Sequence, residues 1–209
     1  MQYSSLPGHQ RLKLKLSANV DSGRIPHAQL FCGADGYGPL PLAIAYAQYL
    51  FCEQKEKGDS CGKCASCQRV ESYNHPDLHF SFPFKTVKNK KETSHTYFKE
   101  WQGQLAENQY FDIQDWNDKC DIGNSQPIIP ASEAKSISEK LALKSFEGGL
   151  KVLIMWRADL LNSQASNKLL KLIEEPPNGT VIILTSTDQD QLLKTIVSRT
   201  QLVKVNRIP

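Results

Sequence analysis

The stretch Ala28-Gln29-Leu30-Phe31-Cys32-Gly33-Ala34-Asp35-Gly36-Tyr37-Gly38-Pro39-Leu40 decides how the rest of the 209-residue sequence is read. Ala28 to Cys32 is a short apolar run of the kind that forms a buried strand. Gly33, Gly36 and Gly38 make a glycine-rich loop. A helical pattern follows to about Phe51, with Leu42, Ala45, Tyr46 and Tyr49 at its apolar positions. Strand, glycine loop and helix together open an α/β unit, and the alternation continues on both sides. Residues 9–23 carry Leu12, Leu16 and Val20 at helical spacing. Leu78 to Phe82, Val152 to Trp156, Val181 to Thr185 and Gln201 to Val205 read as strands. Ser132 to Lys144, the residues from the capping Asn162 to Glu174, and Leu192 to Val197 read as helices, the second stopped by Pro176-Pro177. Strands alternating with helices predict a parallel sheet with helices on both faces.

The loop has the layout of a nucleotide-binding P-loop, whose pattern is G-x-x-x-x-G-K-[ST]. Gly33 and Gly38 hold the required spacing, but Pro39 and Leu40 stand where the phosphate-reaching lysine and the magnesium-ligating hydroxyl belong. Pro39 and Pro41 also remove two N–H groups from the first helical turn, where an anion would be cradled. Hydrolysis further needs an acidic pair at the end of a central strand. The strand Val152-Leu153-Ile154-Met155 ends in Trp156-Arg157 instead. Two separate losses therefore point the same way, to a loop that keeps its shape and lacks its chemistry, and no bound ATP is expected.

Bulk properties narrow the class. Apolar residues make up 40% of the chain, enough for a substantial core, and the net charge of +3 does not by itself indicate nucleic acid or a membrane surface. No run of about 18 unbroken apolar residues exists, so no helical membrane span is expected. Met1 to Gly8 lacks a basic-then-apolar signal pattern. These features predict a cytoplasmic protein, where disulfides are disfavoured and the six cysteines need another role.

Four of them fall close together as Cys52, Cys61, Cys64 and Cys67. Two-residue gaps let thiolates curl around one ion, and Gly58 and Gly62 permit the tight turns required. The pattern predicts one zinc ion. Four sulfurs close a tetrahedral site and leave no position for water, so the zinc would be structural. Reduced free cysteines and an iron–sulfur cluster are the competing readings. Cys32 reads as a core residue, and Cys120 has no evident partner.

Residues 83–127 change character. A basic run, Lys85, Lys88, Lys90 and Lys91, precedes the aromatics Tyr97, Phe98, Trp101, Tyr110, Phe111 and Trp116. Lysines and aromatics barely interleave, which favours an insertion packed on the main domain over a base-stacking surface.

Several stretches together resemble the AAA+ clamp-loader subunits of bacterial DNA replication. They are Arg24-Ile25-Pro26-His27-Ala28-Gln29-Leu30-Phe31 entering the loop, the four-cysteine knuckle after its helix, and His75-Pro76-Asp77. The most specific is Asn167-Lys168-Leu169-Leu170-Lys171-Leu172-Ile173-Glu174-Glu175-Pro176-Pro177, followed by Leu184-Thr185-Ser186-Thr187. Ser198-Arg199-Thr200 is similar to the family's Ser-Arg-Cys motif, with threonine for cysteine. The match spans nearly the whole chain except about residues 83–127.

The resemblance implies an AAA+ P-loop-type parallel sheet flanked by helices over residues 1–209, with an inserted zinc module at 52–67. Within the family, the lost lysine and acidic pair point to the non-hydrolysing stator rather than to the ATP-binding tau/gamma subunits. The implied partners are tau/gamma and delta subunits, with the sliding clamp and primed DNA reached through the complex. By the same resemblance Arg199, with Ser198 shaping its turn, is an arginine finger toward ATP on a neighbouring subunit. Helical lid and collar domains are expected beyond residue 209. An active P-loop ATPase and a zinc-dependent nucleic-acid binder using the knuckle and the Lys85–Lys91 run are the alternative functions.

Overall fold

The computed structural model describes residues 1–86, 92–123 and 125–208. Five strands form one sheet: β1 (Ala28–Cys32), β2 (Leu78–Ser81), β3 (Lys151–Met155), β4 (Thr180–Ser186) and β5 (Gln201–Lys204). Their spatial order is β2-β3-β4-β1-β5, and every pairing is parallel. The predicted sheet is therefore present, and the strand bounds differ from the expected ones by a residue or two.

Alternation along the central strands sorts the core into two layers. Val152 and Ile154 of β3 and Val181 and Ile183 of β4 face one layer. Leu153, Met155, Ile182 and Leu184 face the other. All are almost fully buried, as strands covered on both faces must be. The first layer is closed by α1 (Gln10–Asp21) and α2 (Pro39–Phe51); the second by α6 (Ala131–Ala142), α7 (Ser163–Glu174) and α8 (Lys194–Val197). Gln29 is a buried polar residue on the first face, and it donates to the Tyr46 hydroxyl at 3.1 Å. Asn162 caps α7 as expected, its side chain accepting from the Ala165 N–H at 2.8 Å.

The segment between β2 and α6 contains two helices that the apolar spacing did not reveal, α4 (Phe98–Glu107) and α5 (Ile113–Lys119). Trp101, Trp116 and Phe111 from this segment are buried in the first core layer. They are unavailable to stack on bases, in keeping with the packing reading of the insertion. Of the basic run, Lys85 is half-buried, while Lys88, Lys90 and Lys91 lie outside the described residues. Among the described residues no helix is long and apolar enough to cross a membrane.

Candidate functional site

The glycine loop sits where β1 hands over to α2. Gly33 is required by close approach: a Cβ there would lie 2.4 Å from the Val205 carbonyl oxygen, just past β5. Gly38 has φ +88° and precedes the first turn of α2. In that turn Pro39 and Pro41 have no N–H, and the Leu42 N–H is spent on the Gly38 carbonyl at 3.1 Å. Leu40 alone can offer a donor. The space beside Gly38 is also taken, since a Cβ on it would fall 2.9 Å from Cε1 of Tyr110, a residue of the insertion. The sequence placed Tyr110 among the aromatics, but only the fold puts it on this loop.

Trp156 and Arg157, at the end of β3, have taken two different roles. Trp156 is 3% exposed and is ringed by Phe111, Trp101 and Trp116 at centroid distances of 4.8, 5.5 and 6.4 Å. The position that would carry an acidic residue instead anchors the insertion. Arg157 adopts a left-handed backbone conformation, φ 55°, and turns its guanidinium onto Asp159. Nε donates at 3.0 Å and Nη2 at 2.7 Å to that carboxylate, whose side chain is fully buried. Asp159 is thus the acidic group nearest in sequence to positions 156 and 157, and it is already engaged in a fork. Asp35, from the glycine loop, lies 3.9 Å from Arg157 Nη1. Its carboxyl is raised above the usual range by burial, with Arg157 opposing. Two carboxylates to one guanidinium make a poor seat for a polyphosphate.

The four cysteine sulfurs all lie within 4.8 Å of one another, with Cys61 and Cys67 Sγ 4.0 Å apart. A tetrahedral zinc with bonds near 2.3 Å sets its sulfurs about 3.8 Å apart, so the donor set fits that ion. Backbone N–H groups point at the sulfurs: Lys63 and Cys64 to Cys61 at 3.4 and 3.3 Å, Cys61 to Cys52 at 3.2 Å, and Cys67 to Cys64 at 3.5 Å. Such donors favour thiolate over thiol. The Lys63 and Cys64 amides bring the Cys61 thiol down to about 7, while burial pushes Cys52 and Cys67 up. A bound cation offsets that cost of burying thiolates. Gly58 and Gly62 make the expected left-handed turns. Cys64 caps α3 (Ala65–Glu71), so the second half of the knuckle is helical. Beyond it, Asp77 accepts from the Phe146 and Glu147 N–H groups at 2.8 and 3.0 Å, and His75 stacks on Phe51 at 4.0 Å. His75-Pro76-Asp77 therefore ties the segment after the knuckle to the loop entering β3. Cys32 and Cys120 are half-buried free thiols.

Ser198 and Arg199 belong to neither group. They follow α8 in a turn closed by the Arg199 and Thr200 N–H groups on the Ile196 and Val197 carbonyls. The Ser198 hydroxyl donates to the Thr195 carbonyl at 3.2 Å. The Arg199 guanidinium, 42% exposed, meets Glu174 through Nε at 2.7 Å and the Thr195 carbonyl through Nη1 at 3.2 Å.

Residues 8–209 match the model of the family described as DNA polymerase III, delta subunit. DNA polymerase III subunit delta' of Bacillus subtilis is 28% identical over 191 residues, covering 91% of this chain and 45% of that protein. Its counterpart in Escherichia coli is 29% identical over 188 residues, covering 90% and 45%. DNA polymerase III subunit tau/gamma of Haemophilus influenzae is 23% identical over 197 residues, covering 94% and 22%. The chain thus spans less than half the length of these relatives. A crystal structure of a DNA polymerase III gamma subunit-related protein from Thermotoga maritima superposes with a TM-score of 0.56 at 17% identity, covering 95% of this chain and 46% of that one. The likeness is one of fold, a parallel sheet between helical layers.

Proposed function

The chain belongs to the family described as DNA polymerase III, delta subunit, and from that membership we propose that it is the AAA+ portion of a clamp-loader subunit of the delta' type. In this reading it binds no ATP and hydrolyses none. It is a stator beside tau/gamma and delta subunits in the cytoplasm, and it meets the sliding clamp and primed DNA through that assembly. Arg199 acts in trans, placing a guanidinium by the γ-phosphate held by an adjacent tau/gamma subunit, where it would stabilise charge developing in the transition state. Ser198 shapes the turn that presents it. Cys52, Cys61, Cys64 and Cys67 hold one structural zinc that staples the segment after α2.

The observation that carries the non-hydrolysing reading is the double use of the nucleotide end of the sheet. Tyr110 lies against Gly38, and Trp156 is the anchor of the same insertion. A metal-binding acid at 156 would have to replace the residue on which the insertion packs. The alternative of an active P-loop ATPase lacks lysine, hydroxyl and acid alike.

The test combines two measurements. Titrating this chain with Mg²⁺-ATP should show no saturable binding; saturable binding would overturn the stator reading. Arg199→Ala in the full-length subunit, assembled with its ATP-binding neighbours, should leave assembly intact. It should lower ATP turnover sharply, because such a group contributes roughly 10³- to 10⁵-fold at the site it serves. Unchanged turnover would remove the finger role.

A further inference from the structure

We propose that Glu174 is a positioning residue that holds the Arg199 guanidinium ready for a phosphate presented by a neighbouring subunit. The inference rests on the reading of Arg199 given above and adds a second residue to it.

Glu174 places a charge at the unfavourable end of its helix. Glu174 is the last residue of α7, and Glu175 follows it. The C-terminus of a helix carries partial negative charge and favours cations, so a carboxylate here works against the helix. A residue that breaks a local rule needs a compensating contact, and the contact of Glu174 is Arg199 Nε at 2.7 Å.

The turn fixes where the Arg199 side chain starts and leaves its end free. The backbone at Arg199 is fixed by the bonds from its own N–H to Ile196 O at 3.1 Å and from Thr200 N–H to Val197 O at 3.3 Å. Ile196 anchors α8 in the same core layer as Leu169 and Ile173 of α7. The two helices thus set where the arm starts. They do not set where a long, rotamer-rich side chain ends, and fixing an arginine costs side-chain entropy. Glu174 supplies that end point.

The edges of the guanidinium are used unequally. Glu174 engages Nε, and Thr195 O accepts from Nη1 at 3.2 Å. Among the described residues Nη2 makes no hydrogen bond. A phosphate could take the Nη1–Nη2 edge by displacing one neutral carbonyl, with the Glu174 contact intact. The carboxylate is about half exposed, so the pair contributes little to folding. Its value lies in orientation.

The experiment uses the full-length subunit assembled with its ATP-binding neighbours, and steady-state ATP turnover is the readout. Glu174→Ala should lower kcat about 3- to 10-fold with KM nearly unchanged, since a displacement of the order of 1 Å in a positioned group is enough for such a loss. Glu174→Gln, which still offers an oxygen to Nε, should recover most of it. In an Arg199→Ala background, Glu174→Ala should have no further effect. Wild-type turnover in Glu174→Ala would overturn the inference. So would equal losses in the Ala and Gln variants, which would mean charge rather than position, or an added loss on top of Arg199→Ala, which would mean a structural role. If Arg199→Ala itself leaves turnover unchanged, the finger reading fails and this inference with it. If Arg199→Ala is slow and Glu174→Ala is not, only this inference fails.

Discussion

Replacing Trp101 by alanine should destabilise the domain by about 3–5 kcal/mol, the range for a large aromatic removed from a packed core. Trp101 is fully buried and stacks on Phe82 at 4.3 Å, with Trp116, Trp156 and Phe111 at 5.4, 5.5 and 5.6 Å. Each aromatic pair adds about 0.5–1.5 kcal/mol beyond area burial, but the four share one ring and do not sum. One term works the other way. The Trp101 indole Nε1 is buried with no hydrogen-bond partner among the described residues, whereas Trp116 donates to the Pro83 carbonyl at 2.7 Å. An unsatisfied buried donor costs about 1–3 kcal/mol, which pulls the Trp101→Ala loss toward the lower half of its range. Trp101→Phe keeps most of the stack and removes that donor, so it should cost no more than about 1 kcal/mol.

Urea unfolding followed by circular dichroism, with zinc held constant, measures both. A domain of this size is stable by about 5–15 kcal/mol, so the alanine loss should shift the midpoint clearly at unchanged m-value. Hydrogen exchange should show α4 and α5 losing protection first in Trp101→Ala, with β3 and β4 following only at global unfolding. A loss under about 1 kcal/mol in Trp101→Ala, or equal losses in the two variants, would refute the reasoning. The insertion would then be a satellite rather than part of the core, and the argument that Trp156 is held in place by its partners would fall with it.

Two further predictions concern the periphery. Protein made with zinc available should carry one zinc per chain, and a strong chelator should raise hydrogen exchange over residues 52–71 while β3 stays protected; metal-free protein with unaltered exchange there would mean a cluster of reduced thiols only. His79, in β2, has its imidazole pKa lowered chiefly by burial, with Lys140 adding to the effect, so the unfolded chain binds its proton more readily than the folded one. Stability should therefore be full above the unfolded pKa of about 6.5 and fall as pH drops below it, and His79→Gln should flatten that fall in urea midpoints measured at successive pH values; parallel curves would count against it.

The outline of the sheet was legible because its signals are local. Strand alternation, the Asn162 cap and the Pro176-Pro177 stop each act within a few residues, and the elements fell where those signals placed them. The cysteine cluster was legible for the same reason, since spacing fixes which sulfurs can meet. What stayed hidden depends on contacts distant in sequence. The helices α4 and α5 take their order from Phe82 and Trp156, 19 residues before and 55 residues after Trp101, and no periodicity within the insertion records that. The same holds for Tyr110 on Gly38, for Arg157 turned back on Asp159, and for Glu174 under Arg199. Only the last left a mark in the sequence, a carboxylate at the wrong end of a helix.

Position 156 ties these observations together. Read as sequence, tryptophan there is simply a missing acid. Within the fold it is the residue that the insertion grips. The insertion that covers Trp156 at the end of β3 also brings Tyr110 onto the loop. The two losses counted in the sequence are therefore not independent in the structure. Restoring Pro39 to lysine and Leu40 to threonine would leave Tyr110 beside Gly38 and Arg157 locked on Asp159. Restoring aspartate at 156 would put a carboxylate among three aromatic rings, where an unpaired charge is costly to bury. On the proposed non-hydrolysing reading, single substitutions at 39, 40 or 156 are therefore not expected to confer nucleotide binding, because Tyr110, Arg157 and the aromatic ring around Trp156 would stay in place.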